Sequence, residues 1–160
     1  MKNNRSLFIT HAAVIAALYV ILTAIAAALG LASGVVQLRL SEALTILPIF
    51  TPAAIPGLFI GCFFANLLTG CALWDIIFGS IATLLGAVGT YYLRKHPVFA
   101  FSCPIVANTL IIPPVLVSVY GIEQSIWFLF ATVGLGELIS CIVFGLLIYF
   151  PLKKRNIFKL

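Results

Sequence analysis

The sequence predicts an all-α integral membrane protein with six transmembrane helices, and three observations carry the prediction. Of its 160 residues, 63% are hydrophobic and 8% charged, with a mean hydropathy of +1.23, against about 45–50% and about 25% in an average soluble domain. Apolar segments run over 7–29, 43–73, 76–93, 98–120 and 125–150, each near or above the roughly 20 residues that cross a bilayer. The nine Lys and Arg residues then decide how many spans there are. With six spans and a cytoplasmic N-terminus, Lys2, Arg5, Arg94, Lys95, Lys153, Lys154, Arg155 and Lys159 lie inside and only Arg39 outside, eight against one. Five spans would leave two inside and seven outside, which the positive-inside bias disfavours.

The first helix spans 7–29. Residues 1–6 look like the n-region of a signal peptide, but the apolar run that follows is longer than an h-region and has no A-x-A exit, so it is retained as a span. Pro48, Pro52, Pro56 and Gly57 break the long second segment, giving helices over 42–52 and 54–73 with a hairpin turn at Thr51-Pro52 facing the cytoplasm. The first of these is too short to cross alone, and a short helix inside a bundle leaves a polar depression at one face. Helices over 75–93, 98–120 and 125–151 complete a single membrane domain, 1–160. Loops near 32–35 and 121–124 are expected outside and those near 53–55 and 95–97 inside, with both termini cytoplasmic. Tyr91, Tyr92, Tyr149 and Phe150 form an inner aromatic belt, and Tyr120, Trp127 and Phe128 an outer one.

This composition excludes Rossmann enzymes, soluble nucleic-acid binders and disulfide scaffolds. Cys62, Cys71, Cys103 and Cys141 lie in apolar stretches without a C-x-x-C, and His11 and His96 have no partner at ligand spacing, so no metal or cofactor is expected. There is no G-x-x-x-x-G-K-[ST] phosphate loop, no G-x-S-x-G nucleophile motif and a single Asp; the chain reads as a non-enzyme whose transport energy, if any, comes from elsewhere.

The scarce polar residues carry the functional reading. Residues 35–42 alternate, with Gln37, Arg39 and Ser41 on one face, and read as a short extended lid before a helix that Ser41 caps at Glu42. Glu137 falls mid-span between Gly134, Gly136 and the residues that follow; a carboxylate there costs about 3 kcal/mol to insert and should face a cavity or partner. Asn66 lies toward the outer end of its helix, and Asn108 lies mid-span just before Pro113-Pro114 interrupts the fifth helix. Asp75 follows Trp74 at a helix start, an N-cap position. Gln37, Arg39, Glu42, Asn66, Asp75, Asn108 and Glu137 all map to the outer face or midplane. Such a pocket, with Trp74 for stacking, suits a small planar solute rich in N–H donors, either a nucleobase, whose guanine-like edge a carboxylate accepts bidentately, or a cationic vitamin, and this chemistry does not separate the two. On the first helix, Ala12, Ala13, Ala16 and Ala17 form A-x-x-x-A pairs on which another helix can pack closely.

Taken together, Ala12 to Tyr19, Gln37 to Thr45, Thr51 to Gly57, Gly61-Cys62, Ala65-Asn66, Asp75 to Ser80 and Gly134 to Glu137 resemble the queuosine-precursor transporter family (QueT type), substrate-binding S components of energy-coupling factor transporters. The resemblance implies a six-helix S component whose first loop lids an outward pocket, surrounded by membrane lipid. It also implies a 7-deazaguanine solute with a cationic aminomethyl group. The first-helix alanines would dock on a coupling transmembrane subunit that carries two cytoplasmic ATPase subunits. The competing class is a stand-alone ion-coupled carrier or channel, since carboxylates within spans also serve as proton relays.

Overall fold

The computed structural model describes residues 2–31, 36–121 and 123–155, without the side chains of 2, 3 and 155. Twenty-seven residues with neither proline nor glycine wind into α1, Lys2–Ala28. Its end is closed by the Leu31 N–H on the Ala26 carbonyl and the Gly30 N–H on the Ala27 carbonyl, both 3.0 Å. Gly30 takes φ 70°, a conformation only glycine adopts freely, and this bonding satisfies the helix's orphan carbonyls. The same closure, with Gly70 at φ 76°, ends α2, Ala54–Leu68. The remaining elements are α3, Leu73–Tyr92, α4, Pro97–Tyr120, and a last span of α5, Ile126–Leu138, a π turn, Ile139–Phe144, and α6, Gly145–Arg155.

Between α1 and α2 lies the element that departs most from expectation. Leu40–Ile49 is a 3₁₀ helix rather than an α-helix over 42–52. Pro48 lacks the N–H that an α-helix would send to Leu44, and the Thr45 hydroxyl takes up the Glu42 carbonyl at 2.6 Å. All eight residues from Ser41 to Pro48 are buried. The helix contacts α1, α2, α3, α4, the π turn and α6, so it is the axis around which the others stand. At about 2.0 Å per residue, its ten residues span some 20 Å of a hydrocarbon core about 30 Å thick. Its Arg39–Ser41 end lies below the rim of the bundle, at the floor of a depression. The turn that follows is not an open loop either, for Thr51, Ala53 and Ala54 are fully buried.

Among the described residues, four helices are long and apolar enough to cross a membrane: Asn4–Ala28, Leu73–Tyr92, Pro97–Tyr120 and Ile126–Lys154. Small residues draw them together. A Cβ on Gly57 would stand 2.7 Å from the Ala12 carbonyl oxygen and one on Gly61 3.0 Å from the Ala16 Cα. This places α1 in backbone contact with α2 through Ala12 and Ala16, so those two alanines pack inside the chain while Ala13 and Ala17 stay exposed. Gly86 likewise admits Pro104 of α4. Pro113 and Pro114 release two carbonyls of α4 without interrupting it, contrary to the expected break, since bundle packing tolerates prolines within a span. Tyr149 leaves the inner belt for the core, where it packs edge-on against Phe101 at 5.8 Å.

Candidate functional site

At the end of the bundle where α1 and α2 finish and α3 starts, the short 3₁₀ helix leaves a depression of about 390 Å³. Its polar wall is made by Tyr19 and Thr23 of α1, Gln37 and Arg39 of the following connection, Asn66 of α2, Asp75 of α3 and Tyr120 of α4. Sequence position alone could not join α1 to α4 here; the depth of the 3₁₀ helix does.

Each anticipated residue has a definite place. Gln37, Arg39, Asn66 and Asp75 line this pocket. Asn66 is buried, with its amide on the Cys62 sulfur at 3.5 Å, and Gly79 leaves it room. Asp75 is not a helix cap. The N-cap of α3 is Ala72, and Asp75, 4% exposed, accepts the Tyr120 hydroxyl on Oδ2 at 3.3 Å. That hydroxyl in turn accepts the Ala72 N–H at 3.0 Å, and Asp75 Oδ1 has no partner. Ser41 is not a cap either: it lies within the 3₁₀ helix and accepts the Thr23 hydroxyl at 2.9 Å.

Glu42, Asn108 and Glu137 lie apart from that wall, in the packed interior. Asn108 donates through Nδ2 to Glu42 Oε2 at 3.4 Å and to Glu137 Oε2 at 3.2 Å, while its own Oδ1 is buried without a partner. The Tyr19 hydroxyl donates to Glu42 Oε1, so Tyr19 belongs both to the pocket wall and to the carboxylate cluster. Arg39 has the same double position, because with Gln37 and Glu137 it also lines a recess of about 10 Å³. Glu42, Glu137 and Cys141 bring two carboxylate oxygens and a thiol within 4.8 Å of one another. These donors are already engaged: Asn108 holds both acids, and the Cys141 thiol lies 3.6 Å from Glu137 Oε2 and from the Thr45 hydroxyl. Trp74 does not line this pocket. It is 56% exposed and stacks on Phe78 at 5.9 Å on the outer surface.

Tyr19, Tyr120, Ser140 and Cys141 were not anticipated. Tyr120 resembles a belt residue until its hydroxyl is seen on Asp75, 45 positions earlier, and a buried hydroxyl or thiol in an apolar helix has no periodic signature. The completed pocket offers carboxylate and amide acceptors beside amide and guanidinium donors, a set that can read both edges of a planar, polar solute.

The family profile described as QueT transporter matches residues 9–154 of the chain. A protein of Lactococcus lactis subsp. cremoris (strain MG1363), Queuosine precursor transporter QueT, is 36% identical over 86 residues, which are 53% of this chain and 50% of that protein. The chain thus spans about half the length of the curated relative it matches. No solved structure matches. The profile covers nearly the whole helical bundle and its pocket, and the chain belongs to the QueT transporter family.

Proposed function

We propose that this chain is the substrate-binding component of an energy-coupling factor importer, capturing a 7-deazaguanine precursor of queuosine from outside the cell. The observation that most supports this is the pocket of about 390 Å³ whose lining includes a buried Asp75 with an unmet acceptor together with the Arg39, Gln37 and Asn66 donors. Carboxylates suit the N–H edge and aminomethyl cation of such a base, and the donors suit its carbonyl and ring nitrogen. The relative's name supports the same solute class. A coupling transmembrane subunit with two cytoplasmic ATPases would supply the energy. The interior carboxylate pair favours one competing reading, an ion-coupled carrier acting alone. Reconstitution of the chain by itself separates the two, because uptake without ATPase subunits would favour the carrier.

Titration calorimetry on purified Asp75→Asn and Glu137→Gln tests the site. Each keeps shape but removes charge and one acceptor, and losing a charge-assisted hydrogen bond in a dry pocket costs about 1.5–3 kcal/mol, roughly ten- to a hundredfold in affinity. The larger loss identifies the carboxylate that meets the cationic group. Undiminished affinity in both, in folded protein, would place the site elsewhere.

The eight-to-one charge distribution supports cytoplasmic termini. In a cysteine-free background, a membrane-impermeant maleimide applied to intact cells should label a cysteine at exposed position 124 and spare one at exposed position 96. The reverse pattern would invert the orientation and turn the pocket toward the cytoplasm.

A further inference from the structure

One face of the last span follows the connection that forms the pocket wall for two full turns. Val133, Gly136, Glu137 and Ser140 recur at helical spacing, and each addresses residues 36–39. Val133 and Glu137 share the small recess with Gln37 and Arg39. A Cβ on Gly136 would lie well inside van der Waals contact distance of the Gln37 carbonyl oxygen, and it would stand 3.2 Å from the Gln37 carbonyl carbon and 3.5 Å from Val36 Cγ1. One turn on, the Arg39 backbone N–H donates to Ser140 Oγ at 3.2 Å, and Ser140 is fully buried. On the other side, the described residues of the connection are held by the Leu38 N–H on the Leu31 carbonyl and by the Glu42 N–H on the Arg39 carbonyl, both 3.0 Å.

Gln37 to Arg39 belong to no helix, and the two backbone bonds of the connection leave the Gln37 peptide without a regular ladder to set the direction of the Gln37 and Arg39 side chains. The contacts with α5 and the π turn set it. We infer that Gly136 and Ser140 are positioning residues for solute binding: Gly136 sets how closely the Gln37 backbone approaches the last span, Ser140 fixes the Arg39 backbone, and together they hold the Gln37 and Arg39 side chains at the pocket wall. The inference rests on the reading of that pocket as the solute site. Its chemistry is steric at one point and hydrogen-bonding at the other, so the two substitutions act differently. Gly136→Ala pushes the connection off its seat. Ser140→Ala leaves it seated but frees the Arg39 N–H, and has the smaller effect.

Leu38 also lines the pocket and reports on the seat without solute. A single cysteine at Leu38, in a background lacking the four native cysteines, should react with a maleimide about tenfold faster or more in Gly136→Ala, the overpacking being relieved only by moving the connection. Native Cys62, buried between α2 and α3 and kept as the only cysteine in a parallel construction, should keep its rate. Solute affinity measured with a deazaguanine amine should fall about tenfold in Gly136→Ala, chiefly through faster dissociation, and less in Ser140→Ala. An unchanged rate at position 38, or equal acceleration at 38 and at Cys62, would overturn the inference, the second because it would show that the span has merely loosened. Wild-type protein that binds no deazaguanine amine, while position 38 still responds to Gly136→Ala, would instead overturn the solute reading and leave the seat standing.

Discussion

Ala13→Leu is expected to abolish solute uptake in cells while leaving binding to purified protein unchanged. α1 is the least enclosed of the long helices: 11% of its apolar window is buried, against 50% in α3 and 44% in α4. Its inner stripe of Ala12, Ile15, Ala16 and Tyr19 is taken by α2 and the 3₁₀ helix. Ala13 and Ala17 point away from that stripe, beside exposed Val14, Leu18 and Ile21, where a coupling subunit would need close approach. A leucine at exposed position 13 projects away from the packed stripe and should block what approaches from outside. Ala16→Leu should behave differently, because its side chain would be driven against Gly61; it should lower the melting temperature and lose binding and uptake together. Uptake undiminished in Ala13→Leu, with normal expression, would remove the first helix from the coupling surface.

Asn108→Leu should be the most destabilising single change at the site. One amide nitrogen serves two buried carboxylates, at 3.4 Å and 3.2 Å. Leucine keeps the branched heavy-atom skeleton, with bulkier methyl groups, but withdraws both donations, and a hydrogen bond to a charged group contributes about 1.5–3 kcal/mol net. A loss of about 3 kcal/mol or more is therefore expected, read as a lower denaturation midpoint in detergent. Glu137→Gln in the same background should recover part of it by removing one of the stranded charges. A midpoint equal to wild type would show that the two acids do not depend on Asn108.

The long helices could be read in advance because length and apolar composition determine them, and the cation distribution separated six spans from five. The 3₁₀ helix could not. With Ser41 to Pro48 all buried, it has no lipid-facing side, so the hydrophobic pattern carries no period to distinguish one helix type from another. The polar residues of the site were identifiable as misfits in an apolar chain, yet their division was not. Asp75 lies with Arg39 at the pocket while Glu42 and Glu137 lie with Asn108, and these groupings depend on contacts made 29 to 66 positions apart. The first-helix alanines divided for a related reason: which pair faces inward is settled by Gly57 and Gly61 on another helix.

The 3₁₀ helix also constrains how the chain comes to be inserted. An α-helix long enough to span can wait in lipid as an independent unit with its backbone satisfied. Leu40–Ile49 has no such resting state, being too short to reach both interfaces and carrying Glu42 in its first turn, and α2, with fifteen residues, is scarcely longer. The natural unit of insertion is then the pair together with α1, whose Ala12 and Ala16 already fit the glycines of α2, held near the translocation machinery until α3 and α4 arrive to enclose the central rod. A nascent chain halted after α2 would be open to degradation, whereas one halted after α4 would hold four of the six elements that contact that rod.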